Sequence, residues 1–306
     1  MRKVIGIGET ILDIIFRGDQ PSVAVPGGSV FNSIVSLGRM GVSVAFISET
    51  GNDRVGRLIL RFMRDNHIPT DHVNVFPDGK SPVSLAFLDE RSDAEYIFYN
   101  DYPERRLDVV YPTLYEDDIV IIGSYYALNP LLRDKMLELL DQAREKRAIV
   151  YYDPNFRTPH KDEAIKLAPT LIENLEYADI VRGSVGDFHN MYGLTDADRV
   201  YKDKIQFYCP RFICTAGDGD VSLRTNLVNK EYPVRPLEAV STVGAGDNFN
   251  AGLIYGMLKQ DVRYRDLDNL GEDTWDRLIS FANDFAAEAC RGYDNSVSLE
   301  FAAKYR

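Results

Sequence analysis

Three cysteines, four histidines and one tryptophan are all this 306-residue chain has of those residues, and each scarcity narrows the chemistry open to it. Cys209, Cys214 and Cys290 show no C-x-x-C spacing. That argues against a disulfide framework and against a cysteine-built zinc centre, and makes a reducing cytoplasm the expected compartment. His67, His72, His160 and His189 are far apart and match neither H-E-x-x-H nor a His-Asp-Ser arrangement. No apolar run approaches the ~20 residues a membrane helix needs. Positive charge is also scarce: 35 Lys and Arg against 47 Asp and Glu give a net charge of −12. With no basic stripe, nucleic-acid binding is not the expected activity, and an anionic substrate must be met by local donors. The opening MRKVIGIGE has a basic pair, but Glu9 and Asp13 interrupt its apolar run and no small-residue cleavage site follows. It reads as a first strand, not a secretory leader.

What the chain has is alternation. Short apolar runs such as KVIGIGE, VSVAFISETG, DIVIIGS, AIVYYDPN, DIVRGS and RFICTAG predict buried strands. Between them lie amphipathic stretches, among them SVFNSIVSLGRMG, DRVGRLILRFMRDNHI, PLLRDKMLELLDQAREKR and EAIKLAPTLIENLEYA. Two more helices, AGDNFNAGLIYGMLKQ and TWDRLISFANDFAAEACRG, end the pattern. Strands alternating with helices imply β-α-β crossovers, hence a three-layer α/β/α, doubly wound, mostly parallel sheet in a single domain over residues 1–306. Two stretches break the rhythm, at about 11–26 and 82–102. Each holds two β-like runs around a turn, the second around DERSDAE. They predict a small β lid at the carboxyl edge of the sheet.

The segment Ser241 to Gly252, STVGAGDNFNAG, is the most informative. Small residues at a helix start let backbone N–H groups point outward, and the helix dipole adds positive potential. Gly244, Ala245 and Gly246 therefore make a candidate anion site. A carboxylate beside an anion is unfavourable unless it has chemical work, so Asp247 is a candidate general base next to donors for a transferring phosphoryl group. A plain capped turn would need neither so many glycines nor this acid. No G-x-x-x-x-G-K-[ST] occurs, which disfavours a P-loop, and Ile11 stands where a dinucleotide fingerprint needs its third glycine. Elsewhere, PGGSVFNS offers Gly28 and Asn32 at a helix start. Asp13 follows the first strand, where it can accept hydrogen bonds from two hydroxyls of one sugar. YYDPNFR brings Asn155 and Arg157 to a strand tip, for a phosphate or a sugar hydroxyl. TAGDGD, Thr215 to Asp220, exposes backbone after another strand and reads equally as a tight hairpin turn.

Taken in this order and spacing, the motifs resemble the ribokinase (PfkB-type) family of sugar and nucleoside kinases. STVGAGDNF resembles the family's D-T-x-G-A-G-D-x-F, with Ser241 in place of Asp. GGSVFN resembles G-G-x-x-x-N, with Ile34 where a small residue is usual and Gly41 and Gly51 at the later glycine positions. The correspondence runs from about residue 3 to 292. The resemblance implies phosphorylation of a sugar hydroxyl with ATP and Mg2+, a monovalent cation being left open. Asp247 would be the base, with Gly244, Ala245 and Gly246 as the anion hole. Asp13, Gly28, Ser29, Asn32, Phe98, Asn155 and Arg157 would line the sugar. Ser184, Thr215, Gly217, Gly219, Thr242, Gly244, Gly246 and Asn283 would line the nucleotide. Asp187 would serve the metal, directly or through water. ADIVRGSVGDF carries Ser184 and Asp187 where the family has Asn and Glu.

The sugar is read from smaller signs. GETILD resembles the G-E-x-L-x-D start of fructokinases and 2-keto-3-deoxygluconate kinases, and Ser29 replaces the Lys of the ribokinase pattern. Phe98-Tyr99-Asn100 stands where sugar-acid kinases have F-Y-R. Losing that Arg disfavours an anionic sugar unless Arg105 or Arg106 replaces it. The expectation is fructose or another neutral hexose, with a sugar acid, ribose or a nucleoside as alternatives. A silent sugar- or nucleotide-binding protein on the same fold is the reading outside this class. Lid edges make a homodimer the assembly to test.

Overall fold

The computed structural model describes residues 2–88 and 94–305. In chain order its strands are β1 (Val4–Ile7), β2 (Ile11–Arg17), β3 (Gln20–Gly27), β4 (Val44–Gly51), β5 (Val73–Phe76), β6 (Lys80–Leu88), β7 (Ala94–Asp101), β8 (Ile119–Gly123), β9 (Ile149–Asp153), β10 (Ile180–Ser184), β11 (Phe212–Thr215), β12 (Val221–Arg224) and β13 (Asn229–Tyr232). Its helices are α1 (Ser29–Arg39), α2 (Arg54–Asp65), α3 (Arg133–Lys146), α4 (Ala164–Tyr177), α5 (Val185–Tyr192), α6 (Ala197–Val200), α7 (Ala245–Lys259), α8 (Glu272–Ala289) and α9 (Leu299–Ala303).

Among the described residues, nine strands form one sheet in the order β13-β12-β11-β10-β9-β8-β1-β4-β5. Neighbours from β5 to β11 are parallel, and β12 and β13 join as antiparallel additions. The chain first moves from β1 outward to β5, then returns to β8 and runs the other way. Right-handed crossovers in opposite directions place their helices on opposite faces. Two apolar cores result. α1, α7, α8 and α9 cover one face, while α3, α4 and α5 cover the other. The period of two is visible in β8, where Ile119 and Ile121 enter the first core and Val120 and Ile122 the second. All four are fully buried, which is why this strand reads as an unbroken apolar run.

The two segments that broke the sequence rhythm form a second sheet, β3-β2-β6-β7. β2 pairs antiparallel with β3 and parallel with β6, so the two hairpins, distant in sequence, share one lid. Its own core is small: Ile15, Val25 and Ala86, with Tyr96 and Tyr293 packed against them. The turn of the second hairpin, residues 89–93, lies outside the described residues. The TAGDGD segment is the β11–β12 hairpin turn, with Gly217 at φ +65°.

Candidate active site

The order of the sheet reverses between β1 and β8, and open α/β sheets take their ligands at the carboxyl ends of such strands. A cavity of about 280 Å³ lies there, beneath the lid. Its floor comes from residues after β1, β8 and β9 and from the starts of α1 and α7. Its roof is β7, whose Tyr96, Phe98 and Asn100 share one face by the strand period and all line the cavity. Tyr96 and Phe98 stack at 5.7 Å.

Asp247 sits in the first turn of α7, behind Gly244 at φ +79° as its cap residue. No side chain caps this helix start, so its leading amides are not claimed by a capping residue. The Ala245 amide donates to the Thr242 carbonyl at 3.1 Å, closing the turn. In this conformation the Ala245 amide is thus engaged within the turn. Gly244 cannot be larger: a methyl group there would stand 2.7 Å from the Asn295 carbonyl oxygen. Gly244→Ala is therefore expected to tilt the cradle and lower kcat/KM about 100-fold with the fold retained. Steady-state kinetics beside far-UV circular dichroism checks it.

The Asp247 carboxylate is 5% exposed and held from three sides. Ser29 donates to Oδ1 at 3.0 Å and Asn32 to Oδ2 at 2.8 Å. Asn155 reaches Ser29 Oγ at 2.6 Å and Asp247 Oδ1 at 3.5 Å. Burial raises the Asp247 carboxyl to about 6, against the Asn32 hydrogen bond and the charge of Arg157, which favour ionisation. Asn32 Oδ1 is buried without a partner, an acceptor open to a ligand hydroxyl.

Asp13 comes from the lid strand β2, not from a loop. Its register partner Ser84 on β6 donates to Oδ1, and Asn295 donates to Oδ2 at 3.2 Å. Burial lifts it to about 7, with the nearby charges of Asp247 and Glu9 adding to the rise. The lid thus supplies one buried carboxyl and the core the other.

Asp13, Gly28, Ser29, Asn32, Phe98, Asn155, Arg157, Gly244 and Asp247 all line the cavity. Ala245, Gly246, Ser184, Thr215, Gly217, Gly219, Thr242, Asn283 and Asp187 do not. Ser184 and Asp187 close on each other as a capping box at the start of α5: Ser184 N and Oγ donate to Asp187 Oδ2 at 2.7 and 2.6 Å. Thr215 accepts from Arg182 at 2.6 Å. Arg182 also pairs with Asp153 at 2.9 Å and lies against the backbone of Gly246. Asn283 is half-buried on α8.

Of the two arginines that could replace the lid Arg, Arg105 is exposed and paired with Asp108. Arg106 lines the cavity but is bound to the fully buried Glu49 and stacked over Tyr102 at 3.5 Å. Its charge is already matched. Sequence reasoning had also left Ser84, Ser124, Asn295 and His160 without roles. Each reaches the site only through long-range pairing, and none stands in a motif.

A model described as the pfkB family of carbohydrate kinases matches residues 1–301. The chain belongs to that family. Fructokinase-1 of Oryza sativa subsp. japonica is 26% identical over 92% of this chain and 89% of its own. A 5-dehydro-2-deoxygluconokinase of Geobacillus kaustophilus is 28% identical over 76% of this chain and 72% of its own. Among solved structures, the fructokinase of Vibrio cholerae O395 with fructose, ADP and calcium superposes with a TM-score of 0.82 over 100% of this chain and 99% of that one, at 22% identity. At that identity the likeness concerns the fold. As a carbohydrate kinase, this protein is a phosphotransferase acting on a sugar hydroxyl, and its family implies ATP as the donor.

Proposed function

We propose that this carbohydrate kinase phosphorylates a neutral hexose, fructose first among them, with Asp247 as the general base. The observation that carries the reading is the setting of Asp247. It is a buried carboxyl at about 6, fixed by Ser29, Asn32 and Asn155, one residue beyond an uncapped Gly-Ala-Gly helix start. A base near neutrality accepts a hydroxyl proton most usefully, and the amides beside it offer donors to the phosphoryl group as it moves. Asp13 and Asn32 accept the remaining hydroxyls and hold the reacting one in line. The lid residues Tyr96 and Phe98 cover it from water, which would otherwise compete as acceptor.

Among the described residues no three acids, cysteines or histidines gather as a metal site. That donor set suits a magnesium ion carried on phosphate oxygens and water, with one or two carboxylates at most. Asp187 is the acid we assign to it, directly or through water, and when bound the ion would neutralise charge on the phosphates. The lid is assigned to residues 11–26 and 82–102 of one catalytic unit.

Glu9, Asp13 and Asp247 are three acids of the cavity; Arg157, at its exposed rim, bears on Asp13 and Asp247, and Arg106 is already paired. This balance favours a neutral sugar. Arg157 is the feature that favours a sugar acid instead, as does the name of the Geobacillus relative. A coupled ADP-release assay over fructose, tagatose, ribose, nucleosides and 2-keto-3-deoxygluconate separates them. Highest kcat/KM on fructose or tagatose is expected, and preference for the acid would overturn the neutral-sugar reading.

The acids also set a pH dependence. Asp247 must be ionised to accept a proton, so kcat should climb as pH rises through about 6 and then level. Asp13, at about 7, should add a fall in the sugar KM as pH rises past that value. A kcat that is flat between pH 5 and 7.5 would exclude Asp247 as the base.

A further inference from the structure

Glu9 has no part in the chemistry above, yet it lines the cavity. It follows β1, and Ser124 follows β8, the adjacent parallel strand, so both stand at the point where the sheet order reverses. Ser124 donates to both Glu9 oxygens, at 2.9 and 3.2 Å. It does so from a left-handed backbone, φ +54°, an uncommon conformation for a serine. Ser29 lies between the two acids: its hydroxyl is on Asp247, and its amide supports the Glu9 carboxylate.

Several other polar groups of this end are engaged. The Tyr126 hydroxyl is on Glu49 at 3.3 Å, and the Tyr125 hydroxyl is on Glu163 at 3.2 Å. His160 stacks on Tyr125 at 3.9 Å and points Nδ1 to Glu163 at 3.3 Å. Arg106 is matched by Glu49. A ligand reaching this end meets engaged aromatic walls and one carboxyl that only accepts when ionised. Burial pushes that carboxyl above its ordinary value, opposed by its own amide, the Ser124 hydroxyl, the Ser29 amide and the nearby His160.

Resting on the reading of a neutral sugar kinase, we propose that Glu9, oriented by Ser124, is a specificity-determining residue that accepts a hydrogen bond from a second substrate hydroxyl, remote from the one phosphorylated. The class it admits is a sugar with a neutral, hydroxyl-bearing far end. A substrate that lacks a hydroxyl at that end leaves the Glu9 carboxylate without its partner, and that lost contact is how the subsite selects.

The test is a set of monodeoxy analogues of the best neutral sugar, with the matching sugar acid, assayed on the wild type, Glu9→Gln and Ser124→Gly. Gln keeps an acceptor for the Ser29 amide, and Gly suits the positive φ at 124, so both variants should fold. One analogue should cost the wild type 10- to 100-fold in kcat/KM. In Glu9→Gln, and more weakly in Ser124→Gly, that same penalty should shrink below about 3-fold.

A merely structural role would lower every substrate alike, and equal penalties in wild type and both variants would overturn the subsite while leaving the neutral-sugar kinase standing. Should the wild type use only sugar acids, the substrate reading and the subsite would fall together. Should one variant fail to fold, the other decides by the same criterion.

Discussion

Asp247→Asn should turn over about 1,000- to 10,000-fold more slowly than the wild type and yet melt at a higher temperature. The rate follows from the proposed role of Asp247, whose carboxylate would take the hydroxyl proton beside the helix start. The stability follows from burial. The folded protein holds Asp247 at about 6 against an ordinary 3.8, so between those values it binds a proton that the unfolded chain has released. Stability therefore falls as pH rises across that window, and above about 6 the full penalty remains. At about 1.4 kcal/mol per pH unit, it amounts to roughly 3 kcal/mol at pH 8. Asn carries no charge, and its amide can face the unpartnered Asn32 Oδ1 after a flip. Thermal unfolding at pH 8 should show a rise of a few degrees, and the gain should disappear by pH 4. A variant both inactive and less stable at pH 8 would place the role of Asp247 in the fold instead.

The second large effect concerns Arg182, which lies against Gly246 in the first turn of α7. Arg182 is buried and bridges Asp153 and Thr215. Asp153 also accepts from Asn250 at 2.6 Å and from the Asn155 amide at 3.1 Å, which ties the sugar-facing Asn155 to the same carboxylate. Arg182→Met leaves that buried charge without its cation. The expected loss is about 3–5 kcal/mol at pH 8, read by urea unfolding. Burial already raises Asp153 and Arg182 opposes that rise, so without Arg182 the folded state favours the protonated acid further. The loss should accordingly shrink as pH is lowered toward 5. Asp153→Asn added to Arg182→Met should recover part of it, because an amide is cheaper to bury than a lone charge. A loss below 1 kcal/mol at every pH would mean the pair contributes little.

How far the sequence could be read depended on how local the cause was. The helix start at Gly244 and the carboxylate behind it are set by four consecutive residues, and they stand where the motif put them. The lid was legible as two interruptions, but the pairing of β2 with β6 is a tertiary event across residues 12 and 83 that no local pattern encodes. β5 and β13 give no clear pattern because their runs are only four residues long and carry polar positions. The site partners of Asp13 are 71 and 282 positions away, and Ser124 is 115 from Glu9. Arg106 shows the limit best. Its place beside the cavity was foreseeable, but its neutralisation by Glu49, 57 positions away, was not. That pairing removes Arg106 from the cations a ligand could meet.

Phosphorus-31 NMR of the wild-type protein with ATP, Mg2+ and fructose tests the central claim most directly. The account predicts a sugar phosphomonoester resonance growing in step with ADP, one for one, and no ADP when fructose is left out. ADP accompanied only by inorganic phosphate, or ATP bound without turnover over the same sugars, would contradict it.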